Sequence, residues 1–110
     1  MVSNYDFEHA WALVKCEKFS EVWEYALPYA SAGDSNAEVL IGFLNEHGLG
    51  VARDLDEAER WLRKAAEQNN PLAWNNLGTL LLSRGENDKA KECYRKAVEL
   101  GFSMAEPLAK

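Results

Sequence analysis

The chain has 110 residues, 47% of them hydrophobic, with three prolines and a formal net charge of −6. That length suits one domain, and the composition excludes a disordered chain. The acidic balance argues against nucleic-acid binding, which needs a basic face to displace counterions from phosphate, and no apolar run reaches the roughly 20 residues that span a bilayer.

In chain order the signals are helical throughout. A first helix is expected near 5–16. A second, near 19–32, carries a helix-period apolar face of Phe19, Val22, Trp23, Ala26, Leu27 and Ala30, and Pro28 inside it should bend it. The third, near 36–47, is apolar on more than one side from Val39 to Leu44. The fourth, near 55–68, repeats the one-faced pattern through Leu55, Ala58, Trp61, Leu62, Ala65 and Ala66. The fifth, near 71–83, is again broadly apolar from Trp74 to Leu82. The sixth, near 88–100, carries Ala90, Cys93, Tyr94, Ala97 and Val98 on one face. No alternating apolar run suggests a strand.

Caps mark the boundaries. Ser35 with Glu38, and Asp54 with Glu57, have capping-box spacing. Asn70 offers a cap acceptor just before Pro71, which has no amide to leave unpaired. Gly33, Gly85 and Gly101 stand where helices should stop. Residues 103–110 begin like a further unit and are expected to be either a short C-terminal cap over the last apolar face, the favoured reading, or the start of a further repeat.

The helices also repeat. Ala37 is answered by Ala73 at an interval of 36 residues, and Ala73 by Ala105 at 32; Gly42 matches Gly78, Ala58 matches Ala90 and Lys64 matches Lys96. Intervals in this range mean stacked helix pairs. The predicted fold is therefore an all-α solenoid of three antiparallel pairs, at 1–34, 35–70 and 71–102, with 103–110 beyond them.

With these residues in view, a family resemblance can be stated. Residues 37–70 resemble a Sel1-like repeat: Gly42, Gly48-x-Gly50-Val51, Asp54, Ala58, Trp61, Lys64-Ala65-Ala66-Glu67, and the Ala73 that opens the next unit. Residues 71–104 are similar to a tetratricopeptide repeat, with Trp74-x-x-Leu77-Gly78, Leu81, Ala90, Tyr94 and Ala97, Leu81 replacing the usual tyrosine. The match is specific over about 70 residues and weak over 5–34. It implies a right-handed superhelix in which Gly42 and Gly78 allow close helix approach and Trp61 or Tyr94 fills the volume between pairs.

The resemblance also implies a use. Such arrays hold proteins or peptides along the concave surface lined by the first helix of each pair, and they bring no catalytic residues or cofactor. Mapped onto this chain, that surface takes Val39, Leu40, Phe43, Glu46 and His47 from the middle pair. Asn75, Asn76, Thr79 and Leu82 come from the last pair, and Phe7 and Trp11 from the first if Ala10 is its small contact residue. Each has a plain structural reading beside the functional one, since apolar side chains at helical spacing also build cores. Asp6-x-x-His9 has the spacing of a metal-ligand pair but lacks the further ligands a site needs. The charged runs of the fourth and sixth helices read as solvated faces with intrahelical ion pairs.

The expected function is a non-enzymatic protein-binding module, an adaptor or scaffold whose first-helix face grips a protein or peptide. The net negative charge lies toward the front of the chain: residues 1–36 hold six acids and two bases, while 71–110 hold five and six. That asymmetry supports an alternative, an inhibitor or immunity-type protein that neutralises one basic toxin or enzyme with the help of electrostatic steering. A third reading is weak self-assembly through an uncovered end of the stack. Residues 1–6 show no secretory-signal pattern, and Cys16 and Cys93 have no metal or redox spacing, so the cytoplasm is the expected compartment.

Overall fold

Four side-chain caps set the beginnings of the helices. In the computed structural model, which describes residues 4–109, the carboxylates of Asp6, Asp34 and Asp54 accept from the backbone amides of His9, Ala37 and Glu57, each at 3.0 Å. The Asn70 side-chain oxygen accepts from Leu72 at 3.0 Å and from Ala73 at 3.2 Å. The helices are α1 (Phe7–Lys15), α2 (Phe19–Ser31), α3 (Ser35–His47), α4 (Leu55–Glu67), α5 (Pro71–Ser83) and α6 (Asn87–Glu99), followed by a 3-10 helix, Ser103–Ala109. Residues 1–3 and 110, the outer limits of the expected first pair and last segment, lie outside the described residues. Helix α2 runs on through Pro28.

One cap differs from expectation. Ser35 is the first residue of α3 and Asp34 is its cap. Glu38 does not turn back toward Ser35. It is drawn into the interior, where its carboxylate accepts from Gln68 Nε2 at 2.7 Å and faces Lys64 Nζ at 3.8 Å.

The helices pack as pairs, α1 with α2, α3 with α4 and α5 with α6. The pairs stack so that α3 touches α2, α4 and α5, and the 3-10 helix lies on α6. The dimensions are 37 × 32 × 22 Å. Two apolar clusters form the interior, and α3 belongs to both. Leu40, Ile41 and Leu44 join Ala10, Val22, Ala26 and Ala30 of the first pair. Val39, the neighbour of Leu40, joins Leu62, Leu77, Leu80, Leu81 and Tyr94 in the cluster of the last two pairs, which Ala105 of the 3-10 helix completes. At about 25 cal/mol per Å² of apolar surface buried, this packing is the main stabilising term.

The long turn between α3 and α4 fixes the first pair to the second. The Trp23 indole N–H donates to the Leu49 carbonyl at 2.9 Å. Gly50 has φ +78°, and a β-carbon there would lie 2.9 Å from the Trp23 ring. Only glycine both accepts that backbone angle and leaves room for the ring. At the far junction the Arg84 guanidinium meets Asp56 at 2.8 Å and Glu59 at 3.6 Å, tying the end of α5 to α4.

The close contacts inside the pairs are made differently from the expectation. A β-carbon on Gly78 would lie 2.8 Å from Cε1 of Tyr94, so an aromatic ring, not a facing backbone, occupies that space. At Gly42 the nearest atoms are the Leu62 side chain at 3.0 Å and the Ala58 carbonyl oxygen at 3.3 Å. Leu62 is thus the counterpart of Tyr94. Trp61 turns instead toward the cluster of the preceding pair, and the Lys64 ammonium lies 4.7 Å from its ring centroid.

Glu38 is a carboxylate only 1% exposed. Burial pushes its pKa above the usual range, with Lys64 and Gln68 opposing the shift. The native state therefore holds this proton more tightly than the unfolded chain does. The stabilisation from protonation is complete below the ordinary carboxylate pKa and is lost as pH rises through the raised native value. In urea melts between about pH 4.5 and pH 7, Glu38→Gln should abolish that component of the slope. At neutral pH the variant should be as stable as the parent or more so, because no desolvated charge remains.

Candidate functional site

The first helices of successive pairs share one face. On it an aromatic row runs from α1 to α3. The ring centroids of Phe7 and Trp11 are 6.0 Å apart, those of Trp11 and Phe43 5.1 Å, and those of Phe43 and His47 4.4 Å. Phe7 is 38% exposed, His47 is exposed, and Trp11 and Phe43 are half-buried. The spacing of Phe7 to Trp11 and of Phe43 to His47 is i,i+4, so each pair stands on one side of its helix. The row is in the main a consequence of helical periodicity on two neighbouring helices.

Two of the expected site residues are not on this face. Val39 and Leu40 are fully buried and belong one to each apolar cluster. Helix α3 has a pair on both sides, so positions that would face a groove in an end helix are used as core. The equivalent residues of α5, Asn75 and Asn76, are half-buried, as an end helix permits. That contrast of Val-Leu against Asn-Asn at matching positions was the sequence signal for the difference.

The α5 residues form a separate polar group. Asn75 Nδ2 approaches Asn76 Oδ1 at 3.4 Å, and the Thr79 hydroxyl donates to the Asn75 carbonyl at 3.2 Å. Thr79 also shares a hydrogen bond of 2.9 Å with the Tyr94 hydroxyl, so the exposed threonine is tied to α6. Leu82, 46% exposed, continues this side of the helix. Among the described residues no ring contact or hydrogen bond joins these side chains to the aromatic row.

Glu46 follows Phe43 by one turn of α3 and is half-buried. Burial raises its pKa, and His47 and Arg53 offset this only in part. The Arg53 Nε–H donates to the backbone carbonyl of Glu46, at 3.1 Å, and the carboxylate has no hydrogen bond or ion pair among the described residues. Sequence reasoning included Glu46 by position alone; its burial is a tertiary property, and Arg53 of the long turn lies against its backbone carbonyl.

At the other end of α3 lies an open cleft of about 510 Å³, lined by Phe7, Asn36, Gln68, Asn70 and Leu72 among others. Its amides are largely engaged. Asn70 Nδ2 donates to Ser35 Oγ at 3.0 Å and to Asn36 Oδ1 at 2.8 Å, which makes it a tie between two pairs. The Asp6-x-x-His9 spacing has a structural explanation: Asp6 caps α1, and the His9 ring stands edge-on to Tyr25 at 4.8 Å. Among the described residues no group of three or more metal-ligating side chains occurs, and no helix is long and apolar enough to cross a membrane. Cys16 and Cys93 are free thiols.

This architecture, helix pairs stacked with their first helices side by side, defines an α-solenoid repeat protein. Residues 35–70 match the family model of the Sel1 repeat and residues 71–101 that of the tetratricopeptide repeat. Residues 35–101 are thus a Sel1-like repeat followed by a tetratricopeptide repeat. A solved Sel1 repeat protein from Oxalobacter formigenes superposes with a TM-score of 0.79 at 30% identity, over 94% of this chain and 44% of that one. The chitin synthase regulator SKT5 of Saccharomyces cerevisiae is 34% identical over 73 residues, 62% of this chain. Its namesake in Malassezia restricta is 36% identical over 61 residues, 56% of this chain. The chain spans 10% and 4% of the lengths of these two regulators. Repeats of this kind build extended surfaces that bind other proteins.

Proposed function

We propose that the chain is a non-catalytic adaptor that grips a segment of another protein on its first-helix face. The observation that carries this reading is the row of accessible aromatics, Phe7, Trp11, Phe43 and His47, crossing from one pair to the next. Large amphipathic rings held by a rigid scaffold provide contact area at small entropic cost. Phe43 acts as the anchor, and Glu46, Asn75 and Asn76 add polar selectivity. The related SKT5 proteins are named as regulators of an enzyme, which accords with action through binding. Two free cysteines, Cys16 exposed, suit a reducing compartment such as the cytoplasm.

The test is the double variant Phe43→Ala/Asn76→Ala, with folding verified by circular dichroism. Proteins retained by the parent chain from native lysate should be lost from the variant, each truncation costing about 1–3 kcal/mol of binding. Equal retention by the two would remove the face from consideration.

A second reading, a dedicated inhibitor of one basic target, draws on the charge of −6 and the acidic first third of the chain. It requires one dominant partner whose association rate falls steeply with salt. Several partners with shallow salt dependence favour the adaptor.

A further inference from the structure

We propose that the occupant of this face is a peptide segment bearing an apolar side chain and, within two residues of it, a lysine or arginine. The apolar group packs on Trp11 and Phe43, and the cation meets the Glu46 carboxylate. This rests on the groove reading above and adds the chemistry of the ligand.

Three observations support it. First, Glu46 is a half-buried carboxylate without an ion pair or hydrogen bond among the described residues, although ion pairs are common elsewhere in α4 and α6. The nearby guanidinium of Arg53 is engaged through Nε by a backbone carbonyl. A desolvated charge left in this state is unfavourable, and an incoming cation relieves it. Second, Glu46 stands one turn from Phe43, about 5 Å along the helix axis, and beside His47, whose ring lies on Phe43 at 4.4 Å. Residues two apart in an extended chain are separated by about 7 Å, so one short segment reaches both groups. Third, the whole chain carries −6, which steers a basic segment toward it. An acidic segment would meet Glu46 at close range in a poorly solvated place, where like charges repel most.

The probe is a random peptide library displayed against the purified chain, followed by matched fluorescent peptides that differ only in arginine or its neutral isostere citrulline. Selected sequences should place Lys or Arg at a fixed short distance from an apolar residue. Arginine should bind at least about tenfold more tightly than citrulline. Glu46→Gln should erase that preference while leaving the citrulline peptide nearly unaffected, and Glu46→Lys should redirect selection toward Asp and Glu. Phe43→Ala should weaken every peptide. Binding lost in Phe43→Ala but indifferent to Glu46→Gln overturns this inference and leaves the groove reading standing. Binding indifferent to both removes the two together, and selection of acidic peptides, or of none, also overturns the inference.

Discussion

Leu40→Ala should lower the stability of the fold by about 2–5 kcal/mol and should leave the intrinsic affinity of the folded fraction for its partner unchanged. The side chain is fully buried among Ala10, Val22, Ala26, Ile41 and Leu44. Removing three of its carbons leaves a cavity that a stack pinned on both sides cannot close. For a domain of this size the melting midpoint should fall by about 10 °C or more. The informative comparison is with Phe43→Ala, three residues further along the same helix. That variant should lose binding at a much smaller cost in stability, since Phe43 is only half-buried. Calorimetry with titration at a temperature where both variants are folded separates the two effects. If Leu40→Ala lost affinity while melting like the parent, the division of α3 into core and recognition sides would be wrong.

The second large effect is expected at Gly78. Its missing β-carbon is the space taken by Tyr94 Cε1, 2.8 Å from where that carbon would be. An aromatic ring cannot rotate its edge away as the end of a flexible chain can. Gly78→Ala should therefore cost about 1–3 kcal/mol despite the higher helix propensity of alanine, and Gly78→Leu should cost more. The cause is testable by a double-mutant cycle. In a Tyr94→Ala background the Gly78→Ala change should become nearly neutral or stabilising, giving a coupling energy of about 1–3 kcal/mol in chemical denaturation. Additive effects would mean that something other than the ring fills the space.

Much of the fold was legible because it depends on periodicity and on caps. The six expected helices are all present, five of them from apolar patterns, and Asp54 and Asn70 cap where their spacing placed them. Asp34 was missed because Ser35 has equally good cap chemistry and the right distance to Glu38. What decides between them is the tertiary demand on Glu38, which Gln68 and Lys64 draw inward from thirty and twenty-six residues away. No local rule carries that information. The exchange of Leu62 for Trp61 as the counterpart of Tyr94 has a similar origin. Alignment by residue type pairs the two large aromatics, whereas the uniform spacing of α4 and α6, Ala58 to Leu62 and Ala90 to Tyr94, pairs the residues that face the glycine.

The depth of two residues expected on the first-helix face, Val39 and Leu40, was misread. Reading each pair by the same template treated all three as equivalent, but a stack of three has one interior pair and two ends. Burial of Val39 and Leu40 follows from that inequality. What distinguishes Glu46, burial without a hydrogen bond or ion pair to its carboxylate among the described residues, is a tertiary property that its place in the helix does not carry.

The two walls of the aromatic row are held with very different firmness. Helix α3 contributes eight buried residues, whereas the nine-residue α1 contributes one, Ala10. Helix α1 is held through Ala10 and the half-buried Trp11, Leu13 and Val14 on one cluster only, while α3 cannot move without disturbing both. Trp11 thus rides on a yielding wall and Phe43 on a fixed one. Its indole N–H is buried without a hydrogen-bond partner among the described residues, so a small outward tilt that brings this donor to an acceptor is compensated in part. In the binding role proposed above, such a jaw would keep its register along the rigid side while adjusting its gape to side chains of different bulk.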